Sequence, residues 1–212
     1  MNAPSNKGAT MADHAAAIRG IPRWHPDPLV RETLSTIRRF GWAVTAVGDG
    51  CSCGDSRCAP PDCAFAYTTG LALHSIPDLV VFGLDARTGC ELLNELGELF
   101  HRVDWRSVVD GRTELEVHAL EVRVRVIELV DKSDMLITNE LFPNHPALQV
   151  VWADDLGTFP WQTGYALQPI HQPVKGVPDT STAHAGGPRV VSASVGGSRV
   201  ESRRARRRGP RE

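Results

Sequence analysis

Four of the five cysteines fall within thirteen residues, in CSCGDSRCAPPDC, as Cys51, Cys53, Cys58 and Cys63. Four thiolates can close a tetrahedral zinc site, and Gly54 lets the backbone turn tightly around a metal. A site closed by four cysteines has no open position for water, so such a zinc would be structural. The spacing, CxC followed by two four-residue gaps, differs from the paired CxxC hooks of a zinc ribbon and from the common ferredoxin patterns. Two readings stay open here: a zinc staple, and a surface loop of unligated thiols.

The next chemical cluster follows the cysteines. FAYTTGL carries Tyr67, Thr68 and Thr69 into Gly70, with His74 shortly after, which places hydroxyls and an imidazole near a strand end. Strand ends beside a glycine are common places for ligand contacts. Thr68, Thr69 and His74, with Asp85 where PDLVVFGL ends, are the catalytic candidates for a small hydrolase or transferase. The competing reading has the threonines packing and pairing within the sheet and Asp85 capping a helix. Tyr67, Trp152 and Trp161 are the candidates for holding a planar ligand, against core packing as the alternative. Asp154 and Asp155, in a DDLG run, carry turn chemistry, not an acid/base dyad. His118, between Glu116 and Glu121, and His145, between two prolines, read as solvated.

RRARRR supplies Arg203, Arg204, Arg206, Arg207 and Arg208, which would attract nucleic acid or an acidic partner. No aromatic residue is interleaved for base stacking, so a solvated tail is the alternative. The charge is divided: nine Lys and Arg against three acids from Pro173 onward, and 14 against 22 before it, leaving a body near −8 and a tail near +6. The body has no electrostatic reason to seek phosphate backbones. The chain contains no Walker loop, dinucleotide fingerprint, nucleophile elbow or HExxH motif.

These residues need elements to position them, and 212 residues with 42% apolar content suffice for one core. HPDPLVRETLSTIRRFG predicts a helix capped by Asp27 and begun by Pro28, with Leu29, Thr33, Ile37 and Phe40 on one face and a stop at Gly41. Strands are predicted at Trp42–Val47, Ala64–Leu71 and Leu79–Leu84, the last apolar enough to be buried on both faces. Asp85 opens a helix whose Leu92, Leu96, Leu99 and Val103 align. The alternation between Thr113 and Val130 changes frame, which implies a bulge or turn within it. Ser133 or Asp134 caps a short helix through Phe142, ALQVVW forms a further strand, and Phe159-Pro160-Trp161 clamps back on the core.

The order predicts a single α+β domain: a mainly antiparallel or mixed sheet of about five to six strands with two to three helices, packed on one side. Residues 1–23 read as a disordered or loosely attached arm, 24–172 as the folded domain and 173–212 as a disordered Arg-rich tail. The N-terminus lacks the apolar run of a signal peptide and no segment has the length to span a bilayer, so the expected location is the cytoplasm.

Three blocks together, GWAVTAV, then FAYTTGL with PDLVVFGL, and finally LQVVWADDLGTFPW, resemble a bacterial family, the domain of unknown function 4262 family. Many of its members read like FAYTVGL, PELVVFGL and LQLVWPDRDGRFPW. The resemblance runs from about Phe40 to Gln172. It implies a shared fold and no assigned reaction, substrate or catalytic residue. This chain departs from the pattern in its Cys-rich loop ahead of FAYTTGL and in lacking the aromatic, Gly-rich stretch that often precedes LQLVW. The leading expectation is a noncatalytic binding or interaction domain with a zinc-stapled loop. The alternatives are the small hydrolase or transferase and a protein associated with nucleic acid through its tail.

Overall fold

A computed structural model describes residues 11–48, 64–178 and 190–192. In chain order the elements are α1 (Met11–Ala17), a 3-10 turn (Ile18–Gly20), α2 (Pro28–Phe40), β1 (Ala43–Val47), β2 (Phe65–Thr69), a 3-10 turn (Leu71–His74) and β3 (Asp78–Phe82). There follow α3 (Ala86–Phe100), α4 (Trp105–Asp110), β4 (Glu114–Glu116), β5 (Val124–Glu128), α5 (Leu136–Leu141), β6 (Ala147–Trp152) and β7 (Val190–Ser192). The strands form one mixed sheet in the order β1-β2-β3-β6-β5-β4-β7. The domain is α+β, as expected. β3 and β6 are parallel, β1, β2 and β3 pair antiparallel, and β5 runs antiparallel to β6.

Local signals set the two long helices. Asp27 accepts the amides of Leu29 and Val30 at the head of α2, Pro28 occupies the first turn, and Gly41, at φ +101°, ends the helix. The face α2 buries is Val30, Thr33, Leu34 and Ile37. Leu29 and Phe40, expected on that face, stand at the two ends of the helix and are 54% and 62% exposed. Asp85 caps α3 through the amides of Arg87 and Thr88, and Leu92, Leu93, Leu96, Leu99 and Phe100 are buried.

The sheet is covered on both faces, not on one. Leu79 and Val81 of β3 pack with α3 and with Val108 of α4, while Val80 and Phe82 pack with α2, Tyr67 and the α5 residue Ile137. Alternate residues of a strand point to opposite faces, so an unbroken apolar strand needs cover on each. The frame change after Thr113 is a turn between β4 and β5, and Asp104 caps α4, a helix not read from the pattern. No side chain caps α5; Asp134, one of its predicted caps, pairs instead with Lys175.

Packing begins ahead of Trp24 and continues past Gln172. Ile21 is 8% exposed, and the Arg38 guanidinium donates to the carbonyls of Ile21 and Pro22. At the other end the Val130 amide donates to the Lys175 carbonyl and the Val177 amide to Glu128, so this stretch extends the β5 edge. Val190–Ser192 then pairs parallel with β4.

Candidate functional site

The turn between β2 and β3 gathers most of the sequence candidates. β2 and β3 pair through Tyr67↔Val80, so Thr68 and Thr69 run past the ladder into the turn. Gly70 enters it at φ +113°, which favours glycine, and Ser75 leaves at φ +61°. Asp78, the first residue of β3, is completely buried. Its Oδ1 accepts the Thr68 hydroxyl at 2.9 Å and the Leu71 amide at 3.1 Å, while Thr68 Oγ1 accepts the Leu79 amide at 2.8 Å. Asp78 Oδ2 is buried without a hydrogen bond. Burial pushes the carboxyl up to about 7, against the Thr68 hydroxyl and the turn amides, which pull the other way.

A second layer of hydroxyls closes the network. Thr138 of α5 donates to the Thr68 carbonyl at 2.9 Å, which leaves Thr69 as the donor in the 2.8 Å contact between the Thr69 and Thr138 hydroxyls. Thr68 and Thr69 are each 0% exposed. Tyr67 is 2% exposed, and its hydroxyl accepts the Ile137 amide at 3.4 Å. Burial raises its phenol, opposed by the Ile137 amide and the Thr45 hydroxyl.

His74 lies on the outer side of the same turn. Its ring stacks on His14 of α1 at a centroid distance of 5.4 Å and 21° between planes, and stands 5.0 Å from the His101 ring. His101 stacks in turn on Trp42 at 5.2 Å. Thr68, Thr69 and His74 therefore share one turn, with the threonines facing the interior and the imidazole in a column of rings.

Asp85 is elsewhere. It follows β3, at the opposite strand end, and it accepts the helix-capping amides of Arg87 and Thr88 at 3.0 Å. The Thr88 hydroxyl and amide hold its carboxyl below the usual range. Trp152 and Trp161 are also away from Tyr67. The Trp152 indole donates to the Phe82 carbonyl at 3.0 Å, and Trp161 lies parallel on Phe159 at 5.2 Å with the Arg125 guanidinium 5.2 Å from its ring. The three residues do not form one shelf: Tyr67 turns to α5, Trp152 to the end of β3 and Trp161 to β5.

Asp154 serves the turn assigned to it, with Oδ1 accepting the Leu156 and Thr158 amides and Oδ2 the Ala166 amide. Burial opposes ionisation there, yet these amides outweigh it and hold the carboxyl low. His118 is bound by Glu95 of α3, which takes its amide and its Nδ1. His145 is exposed and meets Phe142 edge-on. A cleft of about 210 Å³ lies along β5, lined by Val109, Asp110, Arg112, Arg125, Glu128 and Val177 among others, with none of the candidates above in its lining.

The residues sequence reasoning passed over are Asp78, His14, His101 and Gln149. Asp78 had a signal: an acid directly before four apolar strand residues must be bonded within the core if it is buried there at all. Cys51, Cys53, Cys58 and Cys63 lie outside the described residues, as do Arg203, Arg204, Arg206, Arg207 and Arg208. Among the described residues no group of three or more His, Cys, Asp or Glu could hold a metal, and no helix is long and apolar enough to cross a membrane.

Comparison with curated proteins and with solved structures finds no match. A family model does match, over residues 36–166, which takes in β1 through β6 and the whole β2–β3 turn. With more than half of its length matched, the chain belongs to the family described as Domain of unknown function (DUF4262).

Proposed function

We propose that this chain is a noncatalytic binding domain of the cytoplasm, with the β2–β3 turn as its recognition end and the cysteine loop stapled by zinc. The observation that carries the reading is the commitment of the hydroxyls: Thr68 and Thr69 are fully buried and spend their bonds on Asp78, Thr138 and the Leu79 amide. A nucleophile needs access to substrate and a base free to take its proton. His74 stacks in a ring column and Asp85 caps α3 at the other end of β3, so these groups do not assemble one reacting centre.

Assaying the full chain against ester, phosphoester and amide substrates tests this. No turnover above buffer is expected. Turnover that falls in His74→Gln would replace the reading with the hydrolase or transferase, which one observation favours: a carboxyl near 7, in the range of a general acid or base, 2.9 Å from the Thr68 hydroxyl.

The zinc part is supported by the stem of the loop. β1 and β2 pair up to Val47↔Phe65, so the chain leaves and re-enters at adjacent positions, and a metal there would close the segment between two fixed ends. Elemental analysis of the reduced protein should find one zinc per chain, lost when Cys51 and Cys53 are both changed to Ser; a metal-free protein removes the staple.

A further inference from the structure

β1 ends the sheet, and among the described residues no strand pairs with its outer edge. A free edge presents a row of amide and carbonyl groups to any second strand, and natural edges are blunted by charge, proline, bulges or short length. The opposite end of the sheet, β7, is three residues long. β1 has none of these devices: its five residues, AVTAV, carry no charge and no proline, and the register with β2 runs unbroken from Ala43↔Thr69 to Val47↔Phe65.

Helix α2 lies over this edge strand. One side of the helix holds the N-terminal segment: Arg31 donates to the His25 and Pro26 carbonyls, and Arg38 to those of Ile21 and Pro22. His25 in turn reaches Glu140 of α5 at 3.4 Å, so this side faces into the domain. Leu29 and Phe40 are eleven residues apart, within about 20° of three full turns, and stand on the side roughly opposite Arg31 and Arg38. They therefore flank the open edge, as the two ends of a ridge about 16 Å long over a strand about 14 Å long. Val47 is exposed at the end of that strand, in alternation with Ala43, which packs on the α2 side. Leu29, Phe40 and Val47 are three of the nine large apolar side chains exposed among the described residues, and all three border this edge.

We propose that the β1 edge and the Leu29–Phe40 ridge form a dimer interface, in which a second copy of this chain adds its own β1 antiparallel to the first. A two-fold axis perpendicular to the sheet keeps each side chain on its own face, so it must pass through a residue and not between two. Centred on Thr45, it pairs the whole strand: Ala43 with Val47 of the second copy, Val44 with Ala46, and Thr45 with Thr45. The same axis sets the two α2 helices side by side and antiparallel, with Leu29 against Phe40 of the second copy at both ends. That match is the reason for a second copy as the occupant. A lone extended peptide would satisfy the strand edge and leave the ridge in water, whereas a second copy brings a ridge of the same length and apolar character. One continuous sheet then runs through both copies, with neither β1 edge left open.

Sedimentation equilibrium of the full chain under reducing conditions tests this. The wild type should show twice the mass of one chain at about 10 µM and dissociate on dilution. Leu29→Glu and Phe40→Glu, both at exposed positions, should each weaken the dimer roughly tenfold or more, since each sets a charge against an apolar side chain at both ends of the interface. Val47→Lys should act in the same direction by charging the strand edge, and circular dichroism checks that each variant keeps its fold. Leu29→Glu combined with Phe40→Lys should recover association in part, because the new carboxylate and ammonium meet across the two copies. A wild type that stays monomeric at about 100 µM would overturn the proposal and leave an extended segment of another protein as the occupant of the edge. A dimer unmoved by all three single substitutions would overturn the surface, and loss in the single variants without recovery in the double variant would overturn the antiparallel pairing of the helices.

Discussion

The β2–β3 turn and the segment 172–177, a strap bonded to β6, both bury polar side chains under a covered sheet, and they differ in how completely those groups are matched. In the strap, Gln149 is 0% exposed, and its Oε1 accepts the amides of Lys175 and Gly176 while its Nε2 donates to the Pro173 carbonyl. Gln172 does the same for β6, accepting from the Trp152 amide and donating to the Trp152 carbonyl and the Tyr165 hydroxyl. At the turn, Asp78 has one bonded oxygen and one bare one, and His14 one bonded nitrogen and one bare one. Full matching marks a region whose work is to hold the chain; an unmet buried group costs stability and persists where the surrounding fold overrides it. That contrast is what supports the proposed recognition at the turn and not at the strap.

The contrast should show most strongly in the pH dependence of stability. Asp78 has a folded-state carboxyl near 7 against an ordinary 3.8, so the folded chain binds a proton more tightly than the unfolded chain across that window. Stability contributed by protonated Asp78 is therefore present below about 4 and is lost as pH rises toward 7, by at most about 4 kcal/mol. Asp78→Asn, which stays neutral, should flatten that slope and exceed wild type at pH 8 in urea unfolding. An Asn variant less stable than wild type at pH 8 would mean that the carboxylate is charged and paired.

Gln149→Leu should cost about 3 kcal/mol, since it strands the Lys175 and Gly176 amides, with hydrogen exchange rising along residues 173–177. If those amides stay protected, the strap is held by something other than the glutamine. Thr138→Val should cost about 1–2 kcal/mol by leaving the Thr69 hydroxyl and Thr68 carbonyl without a partner in the buried network. Asp85→Ala should cost about 1 kcal/mol, the value of an N-cap, at every pH where the carboxylate is ionised. A much larger loss would tie the far end of β3 to the turn and dissolve the comparison.

Helix α2 and helix α3 were legible because their signals are local. Asp27 with Pro28 and Asp85 with Thr88 act within three residues, and Leu92, Leu96 and Leu99 keep helical spacing. Strands β1, β2, β3 and β6 were legible from apolar runs, and LVVFGL even announced cover on both faces, although assigning helices to each face required their packing; β7 was not, since it falls in the stretch read as a disordered tail. Of the site, Thr68, Thr69 and His74 were identified as neighbours of one turn, with packing of the threonines as the competing reading, but not the Asp78 and Thr138 side chains they bond. Asp85 was grouped with that turn, and Trp152 and Trp161 with Tyr67, by residue type, which carries no information about which strand end a side chain occupies.

By itself the amino-acid order determined the family, the α+β class, the capped helices and the turn that gathers the hydroxyls, since each depends on periodicity or on contacts a few residues apart. Only the tertiary structure decided the partners of Asp78, the docking of His14 on His74 and the pairing of Gln149 with Lys175. Those contacts join residues 10, 60 and 26 positions apart, across elements whose relative placement no local pattern encodes. Burial is a property of that placement, and it is burial that turns an ordinary aspartate or histidine into a group with an unmet bond.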